Sequence, residues 1–231
     1  MQRCSASATF NAVHRCAVLV PSRGRHGGSS KDWLRRQAAD PAVIEARKRG
    51  LRSRAALKLE EMDRELRLFQ PHMTVVDLGA SPGSWCQMAV TRIGLGGRVV
   101  AADLLPIEPL DCVTVLKMDL TAADAIERIR AALGPGSAAD VVLNDMAPNT
   151  SGISSLDHWK SIALCEVGLD VALAVLLPGG SLISKVFMGG GETELRVRLG
   201  LHFAKVKVLK PASSRKESRE VYIAAMSFKG K

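Results

Sequence analysis

The sequence predicts an α/β protein with one doubly wound, mostly parallel sheet of seven strands and an antiparallel last strand. Short apolar segments that favour buried strands alternate along the chain with amphipathic segments that favour helices. The first strand runs into a glycine-containing turn and a helix, and an aspartate closely follows each of the first four strand regions. These features are typical of sheets that bind a ligand at the carboxyl ends of their strands.

Length and composition limit the classes of protein to which the chain can belong. Its 231 residues are enough for one α/β domain, which we expect to span residues 31–231. No apolar run reaches the roughly 18 residues that cross a bilayer, so no membrane association is expected. The five cysteines form no CxxC pair and the five histidines have no HExxH spacing. The sequence therefore predicts no disulfide framework and no metal site.

The net charge of +9 is concentrated at the two ends of the chain. Residues 1–70 hold 15 Lys and Arg against 7 Asp and Glu, residues 201–231 hold 8 against 2, and the stretch between them is net acidic. Basic flanks around an acidic middle predict contact with a polyanion such as nucleic acid. An ordinary solvated basic surface is the alternative interpretation.

Residues 1–30 contain four arginines but neither aspartate nor glutamate. This composition is typical of a mitochondrial transit peptide. A disordered basic tail that binds RNA without sequence preference is the alternative. Glycines and serines at residues 24–30 mark the boundary with the folded domain.

Two helical segments are predicted before the first strand. Residues 31–50 are rich in Lys and Arg, and their helical pattern breaks at Asp40-Pro41. Residues 53–69 predict an amphipathic helix, because apolar residues recur at helical spacing. The buried stripe is expected to comprise Ala55, Leu59, Met62, Leu66 and Phe69. Lys58 borders this stripe, where a lysine usually extends its ammonium group to water.

The first predicted strand and its turn occupy residues 75–85. The apolar residues around Asp77 fit a strand covered on both faces, and we expect it to lie at the centre of the sheet. Gly79 and Gly83 permit a backbone conformation or a close ligand approach that a Cβ atom would block. Ser84 is expected to cap the helix that follows.

The remaining elements follow from the same two periodicities. Strands are predicted at residues 98–103, 112–117, 140–144, 181–187, 206–208 and 221–224. Helices are predicted at residues 121–133, 157–176 and 192–199. Strand and helix are expected to alternate as far as the sixth strand. The last two strands are close in sequence, which predicts an antiparallel final strand.

Four acids, Asp77, Asp103, Asp119 and Asp145, close the first four strand regions. Together they predict a crevice rich in hydrogen-bond acceptors, which suits hydroxyl, amine and ammonium groups and would repel a diphosphate. The turn lacks GxGxxG and the chain lacks a P-loop, so a dinucleotide and ATP are disfavoured. S-adenosylmethionine fits, with Asp103 placed to accept from its ribose hydroxyls and Asp119 to hold its adenine.

Several motifs resemble those of the FtsJ/RrmJ/RlmE-type ribosomal RNA 2′-O-ribose methyltransferases, and the resemblance covers residues 31–228. The motifs are Asp77-Leu78-Gly79-Ala80-Ser81-Pro82-Gly83-Ser84-Trp85, Asp145-Met146-Ala147-Pro148-Asn149, Ser214-Arg215-Lys216-Glu217-Ser218-Arg219-Glu220-Val221-Tyr222 and the N-terminal Arg52-Ser53-Arg54-Ala55-Ala56-Leu57-Lys58-Leu59. Two positions depart from the family: Ser84 stands where a second glycine is common, and Asn144 where serine is common. Either change could alter the affinity for the cofactor.

The resemblance implies a Rossmann-like class I S-adenosylmethionine-dependent methyltransferase that methylates a ribose, in a uridine of large-subunit rRNA, and so supports maturation of that subunit. It implies a catalytic tetrad of Lys58, Asp145, Lys185 and Glu220. Contacts with the cofactor are expected from Asp77, Gly79, Pro82, Gly83, Trp85, Asp103, Leu104, Asp119 and Asp145. The expected partner is rRNA within the large subunit or its precursor, bound by a monomeric enzyme.

The chemistry of the reaction supports this tetrad. A ribose hydroxyl is a weak nucleophile, so it must share or lose its proton and be aimed at the methyl group. Lys185 is expected to orient the hydroxyl and stabilise the developing alkoxide, taking the proton only late, if at all. Lys58 is expected to hold the target ribose or a phosphate, with Glu220 steering one of the lysines. Two charges of each sign leave the group neutral, so it can be partly buried.

The RNA itself is expected to contact basic residues on both flanks of the domain: Arg49, Arg52, Arg54, Arg215, Lys216 and Arg219. Gly189-Gly190-Gly191 is interpreted either as a mobile lip over the target nucleotide or as a plain surface turn. Residues 1–30 are expected to have no counterpart in the compact bacterial proteins. That expectation favours the mitochondrial branch of the family and the mitochondrial matrix, with the bacterial cytoplasm as the alternative.

Two other functions are compatible with the same fold. A non-catalytic RNA-binding factor for ribosome assembly would have no use for Lys185. A 2′-O-methyltransferase acting on tRNA or an mRNA cap would use the same chemistry. A cap enzyme needs aromatic side chains to sandwich the cap base, and aromatic residues make up only 4% of this chain.

Overall fold

The seven strands of the described residues form one sheet in the order β3-β2-β1-β4-β5-β7-β6. The structure is a computed structural model, and it describes Arg35 and residues 38–215 and 217–230. Strands β1 to β5 run parallel, and β7 lies antiparallel between β5 and β6. The strands are β1 (Thr74–Leu78), β2 (Arg98–Asp103), β3 (Val113–Lys117), β4 (Ala139–Asn144), β5 (Leu176–Phe187), β6 (Phe203–Leu209) and β7 (Glu220–Phe228).

Helices cover both faces of this sheet, so the predicted doubly wound α/β fold is confirmed. The helices are α1 (Pro41–Lys48), α2 (Ala55–Leu66), α3 (Ser84–Ile93), α4 (Ala125–Leu133), α5 (Ser154–Val175) and α6 (Glu192–His202). Leu59 of α2 and Met88 of α3 pack on one face of the sheet. Ile129 of α4, Leu169 of α5 and Leu195 of α6 pack on the other face. Among the described residues, no helix is long and apolar enough to span a membrane.

Three details of the predicted sheet were wrong. The central strand is β4, and β1 lies beside it. No helix lies between β2 and β3, which are joined by the loop at residues 104–112. Strand β5 begins at Leu176, which pairs with Ala139, and residues 177–180 then bulge before Ser181 pairs with Val141. The Pro-Gly-Gly sequence in this bulge was taken for a turn between elements, because local composition does not reveal that pairing resumes in the same strand.

Among the described helices, α1 is the one with a side-chain hydrogen bond at its N-cap. Asp40 caps α1 by accepting a hydrogen bond from Ala42 N at 3.0 Å, and Pro41 takes the first helical position. Ser84 was expected to cap α3 but is its first residue, and Gly83 takes the cap position with φ at +97°. A glycine adopts this left-handed conformation without the strain that a Cβ atom would cause.

Candidate active site

Four charged residues from four separate elements meet at the carboxyl edge of the sheet. Lys58 comes from α2, Asp145 from the residue after β4, Lys185 from β5 and Glu220 from the first position of β7. Lys185 Nζ lies 3.0 Å from Asp145 Oδ1, and Lys58 Nζ lies 2.5 Å from Glu220 Oε1. The cluster therefore consists of two ion pairs.

Both lysines of the cluster are buried, with Lys58 8% and Lys185 9% exposed. The ammonium group of Lys58 turns inward to Glu220, whereas a lysine beside an apolar stripe usually extends to water. Burial by itself opposes ionisation of Glu220, but the charge of Lys58 and a hydrogen bond from Ser214 Oγ at 3.0 Å outweigh it and lower the pKa of that carboxyl. The four groups carry two positive and two negative charges, so their partial burial costs less free energy than the burial of unpaired charges.

Tyr222 connects the two ion pairs and was missed at the level of sequence. Its hydroxyl donates to Asp145 Oδ1 at 3.1 Å, and Lys58 Nζ lies 5.9 Å from the centre of its ring. The ring is fully buried, and this burial together with the charge of Asp145 raises the pKa of the phenol well above its usual range. Tyr222 follows Glu220 by two positions on β7, so strand periodicity already places the two side chains on one face.

The strand pairing explains why these residues meet. In the antiparallel ladder of β5 and β7, Lys185 is paired with Tyr222, and Phe187 with Glu220. Directly opposed residues of such a ladder place their side chains on the same face, about 5 Å apart. On the other side of β5, Lys185 Nζ also donates to the backbone oxygen of Asp145 at 2.5 Å. The ammonium group is thereby held by both the carboxylate and the carbonyl of one residue.

Two of the predicted cofactor acids lie along the same edge of the sheet. Asp103, at the end of β2, accepts from Ser81 N at 2.9 Å and from Leu105 N at 2.8 Å. Asp119, beyond β3, is exposed and accepts from the hydroxyl and backbone N–H of Thr121, which lower the pKa of its carboxyl. Asp103 therefore links the turn after β1 to the loop after β2, so that both loops border one crevice.

The glycine turn after β1 is packed more tightly than an open ligand cradle. Gly79 has φ at +72°, and a Cβ atom there would lie 2.8 Å from Met146 N. At Gly83 a Cβ atom would lie 2.3 Å from the guanidinium of Arg52. Pro82 follows a cis peptide bond, and its carbonyl accepts from Arg52 Nη1 at 2.9 Å. Both glycines are therefore needed where neighbouring segments of the protein approach the turn.

Asp77 and Trp85 lie beneath the turn, so their side chains can influence a ligand only through the loop. Asp77 is fully buried, and burial raises the pKa of its carboxyl to about 7. Cys86 donates its S–H to Asp77 Oδ2 at 3.0 Å, while Oδ1 has no hydrogen-bond partner among the described residues. The indole of Trp85 is buried, donates to Ala55 O at 2.8 Å and packs against Tyr222. Leu104, in contrast, is exposed at the mouth of the crevice.

The two departures from the family motifs have structural partners away from the crevice. Asn144 is buried, and its amide donates to Leu164 O at 3.0 Å and to Ser184 Oγ at 2.9 Å. Ser84 is also buried, and its hydroxyl accepts a hydrogen bond from Ser53 Oγ at 2.9 Å. These contacts join α5 to the sheet and the start of α2 to the start of α3.

The side chains predicted to bind RNA make contacts within the protein. Arg52 donates to the carbonyls of three residues, Pro82, Glu108 and Pro109, and so ties together the two loops that border the crevice. The remaining contacts pair Arg49 with Glu60, Arg54 and Arg215 with Asp40, and Arg219 with Ser154 and the carbonyl of Met188. Lys216 lies outside the described residues. Arg52 and Arg54 thus have roles in the fold that do not depend on RNA.

A cavity of about 670 Å³ lies at the opposite, amino edge of the sheet. The glycine turn after α4, the start of β5 and Phe228 line it, and Arg130 is the charged residue among its lining residues. It contains none of the acids or lysines described above. The crevice at the carboxyl edge is therefore the better candidate for a reaction site.

The chain resembles known RNA methyltransferases over most of its length. A family profile described as FtsJ-like methyltransferase matches residues 51–228. The ribosomal RNA large subunit methyltransferase E of Xanthobacter autotrophicus is 47% identical over 212 residues, which cover 90% of this chain and 82% of that protein. The protein of the same name from Paramagnetospirillum magneticum is 43% identical over 233 aligned positions, covering 99% of this chain and 95% of that protein. A solved ribosomal RNA methyltransferase from Plasmodium falciparum aligns with a TM-score of 0.69 and 26% identity, covering 78% of this chain and 99% of that one.

These alignments also bear on residues 1–30, whose structure lies outside the described residues. The match to the Paramagnetospirillum protein includes 99% of this chain. Nearly all of residues 1–30 is therefore aligned with a bacterial protein, and the expectation that the segment lacks a bacterial counterpart was wrong. Arginine content without acids is shared by transit peptides and by basic tails, so composition cannot separate the two.

Proposed function

The chain belongs to the FtsJ-like methyltransferase family, and from this premise we propose that it transfers a methyl group from S-adenosylmethionine to a ribose 2′-hydroxyl in large-subunit ribosomal RNA, in a uridine. The observation that carries the proposal is the pair of buried ion pairs, Lys58 with Glu220 and Lys185 with Asp145. A module that only binds RNA has no need to bury two lysines at the edge of a sheet, where their burial opposes stability.

The acids of the crevice fit S-adenosylmethionine, which supplies the methyl group on a sulfonium. Asp103 and Asp119 present carboxylate oxygens at neighbouring strand ends, and each retains capacity to accept a further hydrogen bond from a ribose or adenine group. Above pH 7, where the buried carboxyl of Asp77 is ionised, it adds negative potential beneath the turn. A ligand without phosphate and with a positive charge suits this surface.

The tetrad is suited to prepare the hydroxyl for attack. Asp145 holds the ammonium group of Lys185 in one orientation, and the hydroxyl of Tyr222 in turn fixes Asp145. Lys185 can then donate to the 2′-oxygen, hold it in line with the methyl group and stabilise its developing negative charge. The proton leaves late, to water while Lys185 is an ammonium group, since only the neutral amine of Lys185 has a lone pair to accept it. Lys58, fixed by Glu220, contributes a second positive charge that can hold the ribose or an adjacent phosphate.

Transfer of a labelled methyl group tests the substrate. Purified protein is incubated with methyl-labelled S-adenosylmethionine and with large ribosomal subunits, naked large-subunit rRNA, tRNA or capped mRNA. The RNA is then digested and the modified nucleoside identified. We expect label on the ribose of a uridine from large-subunit rRNA. Label confined to tRNA or to the cap would contradict the proposed substrate, and rRNA binding without any label would favour the non-catalytic assembly factor.

Lys185→Arg tests the role of the lysine, because it keeps the charge but widens the head group and removes an accessible base. We expect kcat to fall roughly 100-fold or more, in the range lost with a positioned proton-transfer group. The matched control is Lys205→Arg on β6, which lies at an exposed position and should retain wild-type activity. Activity of Lys185→Arg near that of the wild type would exclude Lys185 as the base.

Domain organisation and compartment form a separate part of the proposal. We propose one catalytic domain at residues 31–231, active as a monomer, which sedimentation of the active enzyme would test.

The curated relatives named above are bacterial, which favours the bacterial cytoplasm over the mitochondrial matrix. Fusion of residues 1–30 to a fluorescent protein in eukaryotic cells distinguishes the two. Diffuse fluorescence is expected, and import into mitochondria would restore the interpretation as a transit peptide.

A further inference from the structure

An exposed apolar surface borders the catalytic cluster. It consists of Ile153, Leu156 and Trp159 around the start of α5, together with Met188 just after β5; we call it the Trp159 platform. Trp159 is 55% and Met188 51% exposed. Leu156 and Trp159 are three positions apart in α5 and so are neighbours on one face, and Ile153 is the residue just before the helix. Trp85, in contrast, is buried in the core, so an exposed large aromatic ring is unusual among the described residues.

Buried contacts join the platform to the strand that carries Lys185. The ring of His158, next to Trp159 in the chain, is almost fully buried and lies against the glycine segment after β5. Its Nδ1 donates to Phe187 O at 2.6 Å, and its Nε2 accepts from Gly191 N at 2.9 Å. A Cβ atom at Gly191 would lie 3.1 Å from the ring of Trp159. Met188 of the platform therefore lies three residues beyond Lys185 in the chain, on the rim of the proposed reaction site.

Two further side chains hold the backbone of the platform in place. Arg219 donates to the carbonyl of Met188 and to Ser154, so it joins both parts of the platform. Glu192 accepts from the backbone N–H groups of Gly189 and Gly190. The segment 189–191 is thus fixed by specific hydrogen bonds, which favours a pre-organised surface over the mobile lip considered above.

The charges around the platform indicate the kind of group that it binds. Lys160 and Arg219 are both exposed beside it. The nearby carboxylate of Asp157 is turned inward and accepts from Ser151 and Gly152, which hold the pKa of this carboxyl below its usual range although burial opposes that shift. An exposed flat aromatic ring flanked by cations is the arrangement with which proteins stack unpaired bases of nucleic acids.

We infer that the Trp159 platform binds a nucleobase of the substrate RNA by stacking, and that this base lies next to the ribose that is methylated. The inference rests on the proposed function, because the occupant is a part of the same RNA. Stacking on Trp159 would hold the target nucleotide out of its helix, so that its 2′-hydroxyl reaches Lys185. Base stacking tolerates any base, so the platform contributes affinity and position more than sequence preference.

Three substitutions of Trp159 separate stacking from packing. Trp159→Ala is expected to weaken binding of the substrate RNA about 5- to 100-fold and to raise KM by a similar factor, with kcat at saturating RNA near wild type. Trp159→Leu keeps apolar bulk but has no ring face and should resemble alanine. Trp159→Phe keeps a ring and should restore most of the affinity. The dependence of affinity on salt should not change, because no phosphate contact is lost.

The control is Leu201→Ala, which removes another exposed apolar side chain, at the far end of α6, and should bind RNA like the wild type. Wild-type KM in Trp159→Ala would overturn the inference while leaving the proposed function intact. Full rescue by leucine, or a fall in kcat with unchanged KM, would also overturn it, since either result indicates a packing role. If the wild-type enzyme transfers no methyl group to rRNA, the proposed function fails and this inference fails with it.

Discussion

At the scale of single residues, the site depends on charges that are buried in pairs and linked by one neutral residue. Lys58 and Glu220, and Lys185 and Asp145, satisfy each other, and Tyr222 lies between the two pairs. Removing one partner of a buried ion pair leaves an uncompensated charge, which typically costs about 3–5 kcal/mol. Substitutions that keep the charges are therefore the informative ones.

Tyr222→Phe is such a substitution. It keeps the ring beside Lys58 and removes only the hydroxyl that donates to Asp145. A hydrogen bond to a charged group is worth about 1.5–3 kcal/mol, so Asp145 should hold Lys185 less firmly and kcat should fall about 10-fold or more. Steady-state methyl transfer measures the effect, and thermal unfolding serves as the check on folding. A kcat equal to that of the wild type would show that the hydroxyl does not position the tetrad.

Asp77 predicts a specific pH dependence of stability. Its pKa is about 7 in the folded protein against an ordinary value of 3.8, because burial disfavours the carboxylate. Between these two pH values the folded chain binds a proton that the unfolded chain has lost, so the free energy of unfolding falls as pH rises from about 4 to about 7. Above pH 7 the full cost, up to about 4 kcal/mol, is present.

Asp77→Asn cannot ionise and should lack this loss of stability. Urea unfolding of both proteins from pH 4 to pH 8 measures the difference. We expect the variant to gain stability relative to the wild type as pH rises to 7, and the difference to stay constant above that. A difference that does not change with pH would mean that Asp77 is ionised throughout.

At the scale of elements, the packing of α5 on the sheet depends on one glycine. Gly168 of α5 faces Asn144 at the end of β4, and a Cβ atom there would lie 2.2 Å from the amide nitrogen. That amide also bonds to Leu164 O and Ser184 Oγ. The residue just before Asp145 is therefore fixed by α5, so the helix helps to set the position of the carboxylate that pairs with Lys185.

Gly168→Ala should consequently disturb both folding and activity. Forcing a methyl group into this contact is expected to cost about 1–3 kcal/mol of folding free energy, as for other overpacked cores. The matched control is Gly200→Ala in α6, where a Cβ atom meets nothing within 4 Å. Alanine there should stabilise the protein by up to about 1 kcal/mol through helix propensity. Chemical denaturation measures both values, and equal effects of the two substitutions would contradict this account.

The periodicities of the sequence predicted nearly all of these elements, because each strand or helix buries a locally readable pattern of side chains. Strand β2 was predicted at its observed bounds, residues 98–103. Helix α4 begins four residues later than predicted, since residues 121–124 form turns whose composition also suits a helix. The bulge at residues 177–180 was missed because it depends on pairing with Ala139, which is distant in the chain.

At the scale of the whole molecule, the charge of +9 should govern binding to RNA. Several of the arginines predicted to bind RNA are engaged within the domain, as Arg52 and Arg54 illustrate. Residues 1–30 add four arginines and no acid. A sizeable share of the phosphate contacts is therefore expected to come from this segment.

Salt dependence tests that expectation. If about six phosphates are contacted, affinity for rRNA should fall about 1,000-fold between 50 and 200 mM salt. Deletion of residues 1–30 should make the slope of log affinity against log salt shallower by up to about 3, because binding then neutralises fewer phosphates and releases fewer counterions. A filter-binding titration of both proteins measures the slopes. Equal slopes would show that the segment makes no phosphate contact.

By itself, the sequence determined the class of fold and the family, and it predicted the four residues of the proposed tetrad. These depend on local periodicity and on motifs whose residues are contiguous, such as the turn at residues 77–85. The pairing within the tetrad was decided only by the tertiary structure. Lys58 and Glu220 are 162 positions apart and are brought together by the docking of α2 on the sheet beside β7. The same holds for Tyr222, His158 and the platform at Trp159, whose roles depend on burial and on neighbours that no local pattern specifies.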